Sequence, residues 1–110
     1  MDLTSAKFKP WRNGTKDNSK GYGLCVAKKF VMLFSKSWSN IIVQVWYKND
    51  FEEIPFNLTE KFWTTCSDMQ NNAIKKWFEK SGIINWEGKK REFKTLYLGD
   101  NKFQISLDGE

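Results

Sequence analysis

The chain has 110 residues, with 18 basic and 13 acidic side chains for a net charge of +5, and it contains no histidine. That length is one domain, residues 1–110, able to bury roughly 65% of its unfolded surface without a disulfide or a metal. The missing histidine excludes His-dependent triads, His metal sites and the commonest general base at neutral pH.

Residues 1–20 form a basic N-terminal segment in which Lys7, Lys9, Arg12, Lys16 and Lys20 surround Phe8 and Trp11. Cations interleaved with rings suit a nucleic-acid strand: charge meets the phosphates and a ring face meets a base. The same residues fit a blander arrangement, with Phe8 and Trp11 folded onto the core and the lysines pointing into water. Charge is uneven along the chain: residues 1–36 carry eight bases and two acids, whereas residues 37–74 carry two bases and five acids. Such asymmetry can steer a polyanion. However, Lys dominates the bases and is accompanied by many Asn, as AT-rich coding alone would produce. Arg, the better fork for phosphate, occurs only at Arg12 and Arg91.

The stretch 21–35 puts Tyr22, Leu24, Val26, Phe30, Met32 and Phe34 on one face of an extended chain. It reads as one long bent strand or as two strands turning at Lys28-Lys29. Residues 36–40 are turn chemistry. Residues 41–48 alternate Ile41, Val43, Val45 and Tyr47 with Gln44 and Lys48, the clearest strand of the chain. The acidic run 49–53 is expected to end it.

From residue 57 the pattern becomes helical. Asn57 or Thr59 can cap a short helix over 60–66, and Ser67 with Gln70 fits a capping box for a second one. Met69, Ala73, Ile74, Trp77 and Phe78 would form its apolar stripe, with Gly82 at the left-handed C′ position. Residues 91–107 then read as a closing hairpin turning at Gly99-Asp100-Asn101. The expected fold is therefore α+β: an antiparallel sheet of about five strands packed on an amphipathic helix, with Trp63, Trp77 and Trp86 at the seam.

No residue set supports an enzyme over a binding protein. Cys25 and Cys66 are far apart, and no apolar leader precedes them, so they are expected as reduced thiols in a bacterial-type cytoplasm. No apolar run is long enough to span a membrane. Glu87-Gly88-Lys89 has the E-x-K form of metal-dependent nucleases, with Asp68 upstream, but Asp68 suits a first helical turn and the E-x-K an exposed turn. Asp50, Glu52 and Glu53 read as a solvated loop rather than a cation site. No metal or other cofactor is therefore expected.

A second basic run, Lys89, Lys90, Arg91 and Lys94, stands at the base of the hairpin. The expected nucleic-acid site is thus Lys7, Lys9, Trp11, Arg12, Lys16, Lys20, Lys89, Lys90, Arg91 and Lys94, binding DNA or RNA with little sequence preference. The alternative is a protein-interaction or self-associating (homodimer) module using Trp38, Trp46 or Phe51.

Residues 62–107, with Phe62-Trp63, Trp77, Trp86, Gly99 and Phe103, resemble small bacterial proteins of the kind carried on integron gene cassettes. That resemblance implies a mobile-gene origin and assigns no activity. Ile54-Pro55 and Gly99-Asp100 are similar to signature positions of swapped-hairpin and B3-like DNA-binding pseudobarrels. The helical stretch around Trp77 and the acidic Glu52-Glu53 depart from that pattern.

Overall fold

The structure is a computed structural model, and it describes residues 3, 6–15, 17–86 and 92–107. The fold is α+β, but the described strands form two sheets instead of one of about five strands. Strands β1 (Phe8–Thr15), β2 (Asn18–Val26) and β5 (Asp68–Gln70) make a three-stranded sheet in the order β1-β2-β5. Strands β3 (Asn40–Tyr47), β4 (Asp50–Asn57), β6 (Lys94–Gly99) and β7 (Lys102–Ser106) make a four-stranded sheet in the order β4-β3-β7-β6. All pairings are antiparallel except that of β3 with β7.

Alternation decides which face of each strand turns inward. Phe8 and Pro10, Leu24 and Val26, Ile41, Val43 and Val45, Ile54 and Phe56, and Phe103 and Ile105 are all buried. Their rings meet across the two sheets. Phe8 packs edge-on against Phe103 at 5.3 Å and against Phe34 at 6.3 Å, while Phe34 stacks on Phe103 at 5.4 Å. Edge-to-face and offset rings add about 0.5–1.5 kcal/mol per pair beyond the area they bury. Among the described residues no buried side-chain polar atom lacks a partner.

Several expectations need correcting. Within the N-terminal basic segment, residues 8–15 are a strand, β1, hairpin-paired with β2 from Phe8↔Val26 to Thr15↔Asn18, and Phe8 is buried in the core. The chain 28–33 is a 3-10 helix rather than a strand, so Met32 is exposed while Phe30 and Val31 are buried. The acidic run does not end the sheet. Lys48 and Asn49 make a two-residue turn, with Lys48 at φ 54°, and Asp50–Asn57 returns as β4.

The second helix is shorter than its apolar stripe implies. Residues 68–70 pair with β2 as β5, and a 3-10 turn over Asn72–Ile74 leads into α2 (Lys75–Lys80), after the short α1 (Glu60–Thr64). The capping box does not form: the Ser67 hydroxyl donates to the Val26 carbonyl instead, and Asn71 accepts from the Ala73 N–H at 3.0 Å. A sheet ladder satisfies these backbone groups as well as a helical turn would, and it buries Met69. Asp68 accordingly lies on a strand rather than in a first helical turn. Ile74, Trp77 and Phe78 still face the core, and Gly82 takes the left-handed position past the helix, φ 79°.

Trp77 is buried, whereas Trp38, Trp63 and Trp86 are half-buried against the core. Cys25 and Cys66 are thiols. Among the described residues no helix is long and apolar enough to cross a membrane.

Candidate nucleic-acid interface

The two sheets meet at two seams. At the first, the Phe93 N–H donates to the Phe8 carbonyl at 2.8 Å, and the Phe8 N–H donates to Thr95 Oγ1 at 3.3 Å. Thr95 Oγ1 in turn donates to the Phe93 carbonyl at 3.1 Å, so this buried hydroxyl is satisfied. At the second, the Asn71 side-chain amide donates to the Pro55 carbonyl at 2.8 Å, tying the end of β5 to β4.

The first seam decides which basic residues meet. Lys7 and Lys9 flank Phe8, and Lys94 lies between Phe93 and Thr95. The three lysines from the two ends of the sequence are therefore held at one junction of the surface. Lys94 is exposed, and Lys7 and Lys9 are half-buried.

Other expected contacts are placed elsewhere. Arg12 is engaged inside the protein: Nη2 donates to the Trp86 carbonyl at 2.7 Å, Nη1 to the Ile84 carbonyl at 3.4 Å, and the guanidinium sits 4.1 Å from the Trp86 ring centroid. It anchors the segment after α2 to β1. Lys20 is exposed at the irregular far end of the β1–β2 hairpin, beside a hollow it lines with Asn72 and Lys75. That is about four strand residues, roughly 13 Å, from the level of Lys9. Trp11 shares the outward-facing alternation of Lys9 and lines a separate groove. Lys16, Lys89, Lys90 and Arg91 lie outside the described residues, as do Glu87 and Gly88 of the E-x-K motif.

From Lys94 the outer face of the four-stranded sheet continues across β7, β3 and β4. Register places Lys94 beside Ser106, Leu96 beside Gln104, Gln104 beside Gln44, and Trp46 beside Phe51. Lys94, Lys48, Trp46, Thr95, Leu96, Gln104 and Ser106 line a hollow of about 240 Å³. Trp46 stacks on Phe51 with centroids 4.7 Å apart and planes inclined 24°. Its indole N–H reaches Gln44 Oε1 at 3.3 Å, and its carbonyl accepts from the Trp77 indole at 2.8 Å. The platform is thus fixed from the side by Gln44 and from below by α2. Phe51, Leu96 and Leu98 are exposed on this same face.

Carboxylates border the face. Glu53 accepts from the Gln44 amide at 3.2 Å on the β4 side. The carboxylate thus lies at the β4 edge of the face, and Lys94 on β6 at the opposite edge. Among the described residues no three His, Cys, Asp or Glu side chains gather as a metal site.

Sequence reasoning found the lysines of the seam and the rings of the platform but assigned them to different hypotheses. Gln44, Gln104 and Ser106 were missed. Their signal was the period-two alternation with Val43, Phe103 and Ile105, but uniting them requires the parallel β3–β7 pairing, which links segments about sixty residues apart. Trp38, expected on an exposed patch, instead packs against Phe34 at 5.9 Å and Phe103 at 6.3 Å. Ile54 and Pro55 lie within β4, and Gly99 and Asp100 at the β6–β7 turn. No family model, curated protein or solved structure matches this chain.

Proposed function

We propose that the protein binds single-stranded nucleic acid over the β1–β6 seam and the outer face of the four-stranded sheet. The observation that carries this reading is the conjunction of lysines Lys7, Lys9 and Lys94 with the stacked Trp46–Phe51 pair beside the hollow that Lys94 and Trp46 line. Backbone phosphates meet ammonium groups, and a base stacks on the ring platform, which is the general economy of sequence-tolerant strand binding. A pair of stacked rings held by Gln44 and Trp77 is preorganised, so little ordering cost falls on the complex. Anisotropy of a labelled oligo-dT at low ionic strength tests the reading. Saturable binding that weakens with added salt is expected, and no binding at 20–50 mM salt (about the low end of the range where phosphate contacts dominate) rejects it.

A second reading rests on the exposure of Phe51, Leu96 and Leu98 on one face. Here the same sheet covers itself with another copy of the chain. Sedimentation at two concentrations separates the two: a concentration-dependent dimer that excludes oligo-dT favours self-association, and a monomer that binds it favours the strand.

A further inference from the structure

On the three-stranded sheet a second concavity, of about 350 Å³, is lined by Trp11 and Asn13 of β1, Asp68 and Gln70 of β5, and Asn57, Thr59, Lys61 and Met69. That volume is at the lower end for small-molecule sites, about 300–1,000 Å³, and suits one ring system. We infer that this groove is a nucleobase subsite that prefers guanine, with Trp11 as the stacking face and the Asp68 carboxylate as the reader of the base edge.

The elements of the site are set by the sheet. Register puts Trp11 opposite Gly23 and Gly23 opposite Gln70, and puts Lys9 opposite Cys25 and Cys25 opposite Asp68. Gly23 is the floor between the indole on one side and the β5 side chains on the other. A Cβ there would lie 1.9 Å from the Met69 carbonyl oxygen, so only glycine lets β5 approach this closely. Trp11 is half-buried, which fixes its ring as one wall.

Of the groove's polar side chains, Gln70 is used by the fold, donating its amide to Asn72 Oδ1 at 3.3 Å, whereas others are not. Among the described residues no hydrogen bond or ion pair engages the side chains of Asn13, Asn57 or Asp68, and the Thr59 hydroxyl makes no cap bond to α1. A carboxylate offers two parallel acceptor oxygens. Of the four bases only guanine presents two adjacent N–H donors on its Watson–Crick edge, whereas adenine and cytosine offer one amino group beside an acceptor nitrogen that a carboxylate repels. Unstacked bases read on that edge while stacked on an aromatic ring are the usual mode of single-strand recognition. Lys61 at the groove supplies a cation for the attached phosphate, and Lys9, the preceding outward residue of β1, is about 7 Å along the strand from Trp11. The groove therefore continues the path that leaves the lysine seam.

This inference rests on the strand-binding reading above, and the test separates the two. The intact chain is titrated with four labelled nonamers of dT in which the central nucleotide is dT, dG, dA or dC. The dG nonamer is expected to bind about tenfold more tightly than the others, the discrimination of one bidentate base contact. Asp68→Asn should abolish that preference while all-dT binding is retained or strengthened, and Trp11→Phe, which keeps a ring, should retain the preference. Equal affinity for all four nonamers, or preference for another base, overturns the guanine subsite alone. Absence of binding by any of them rejects strand binding and the subsite together.

Discussion

The Arg12 guanidinium donates to the Trp86 carbonyl at 2.7 Å and lies 4.1 Å from the centre of that residue's ring, joining β1 to the segment beyond α2. A cation that looks like a phosphate ligand in the sequence is here a structural clamp using both its fork and its flat face. Lysine can reproduce neither in full. Arg12→Ala is expected to lower stability by about 1.5–3 kcal/mol, the range for hydrogen bonds to charged groups, and Arg12→Lys should recover only part of it. Urea unfolding measures both. The salt dependence of oligonucleotide binding should be that of the unaltered chain.

Thr95 is buried, and its Oγ1 holds the Phe8 N–H at the seam where Lys7, Lys9 and Lys94 meet. Thr95→Val keeps the shape and removes the acceptor. The Phe8 N–H is then left without a partner, at a cost of about 1–3 kcal/mol. A loss of that size in urea unfolding is expected, together with faster amide exchange at Phe8. Unchanged stability would mean that the seam closes without this bond.

Gly23 faces the Met69 carbonyl so closely that an added Cβ would lie 1.9 Å from it. The obstacle is backbone and cannot rotate away. Gly23→Ala should therefore destabilise by more than about 1 kcal/mol despite restricting the unfolded chain, and should displace β5. Amide exchange at Asn71, whose N–H donates to the Tyr22 carbonyl at 3.0 Å, reads that displacement directly.

Phe103 is fully buried and touches Phe8, Phe34, Trp38 and Tyr97. Phe103→Ala is expected to cost about 3–5 kcal/mol. By contrast Leu96→Ser, on the exposed outer face, should stay within about 0.5 kcal/mol of the unaltered chain. Thermal unfolding of the two variants side by side checks the assignment of inner and outer faces.

Local pattern made much of this fold legible. The alternation of Ile41, Val43 and Val45 announces β3, the Gly99-Asp100-Asn101 turn announces the closing hairpin, and Ile74, Trp77, Phe78 and Gly82 announce α2 and its end. What escaped depends on partners distant in sequence. Met69 reads equally well as the start of a helical stripe or as the inward residue of a short strand, and only its opposite number Leu24 decides. Asp50 to Glu53 looks like a loop because its acids hide the inward Ile54 and Phe56 that make β4 a strand. The candidate site divides in the same way. Residue type singled out Lys7, Lys9, Trp11 and Lys94, but the hydrogen bond from Phe93 to Phe8 is what brings the lysines together, while the length of the β1–β2 hairpin sets them apart from Lys20.

The claim that most depends on this geometry is that Lys7, Lys9 and Lys94 act as one phosphate-binding cluster. Salt titration of oligo-dT binding by the unaltered chain and by the Lys7→Ala/Lys9→Ala/Lys94→Ala variant tests it most directly. Each lost phosphate contact should reduce the slope of log K against log salt by about 0.7, so the triple variant should lose about 2 while its unfolding remains unchanged. A variant that binds with the slope and affinity of the unaltered chain would contradict the account.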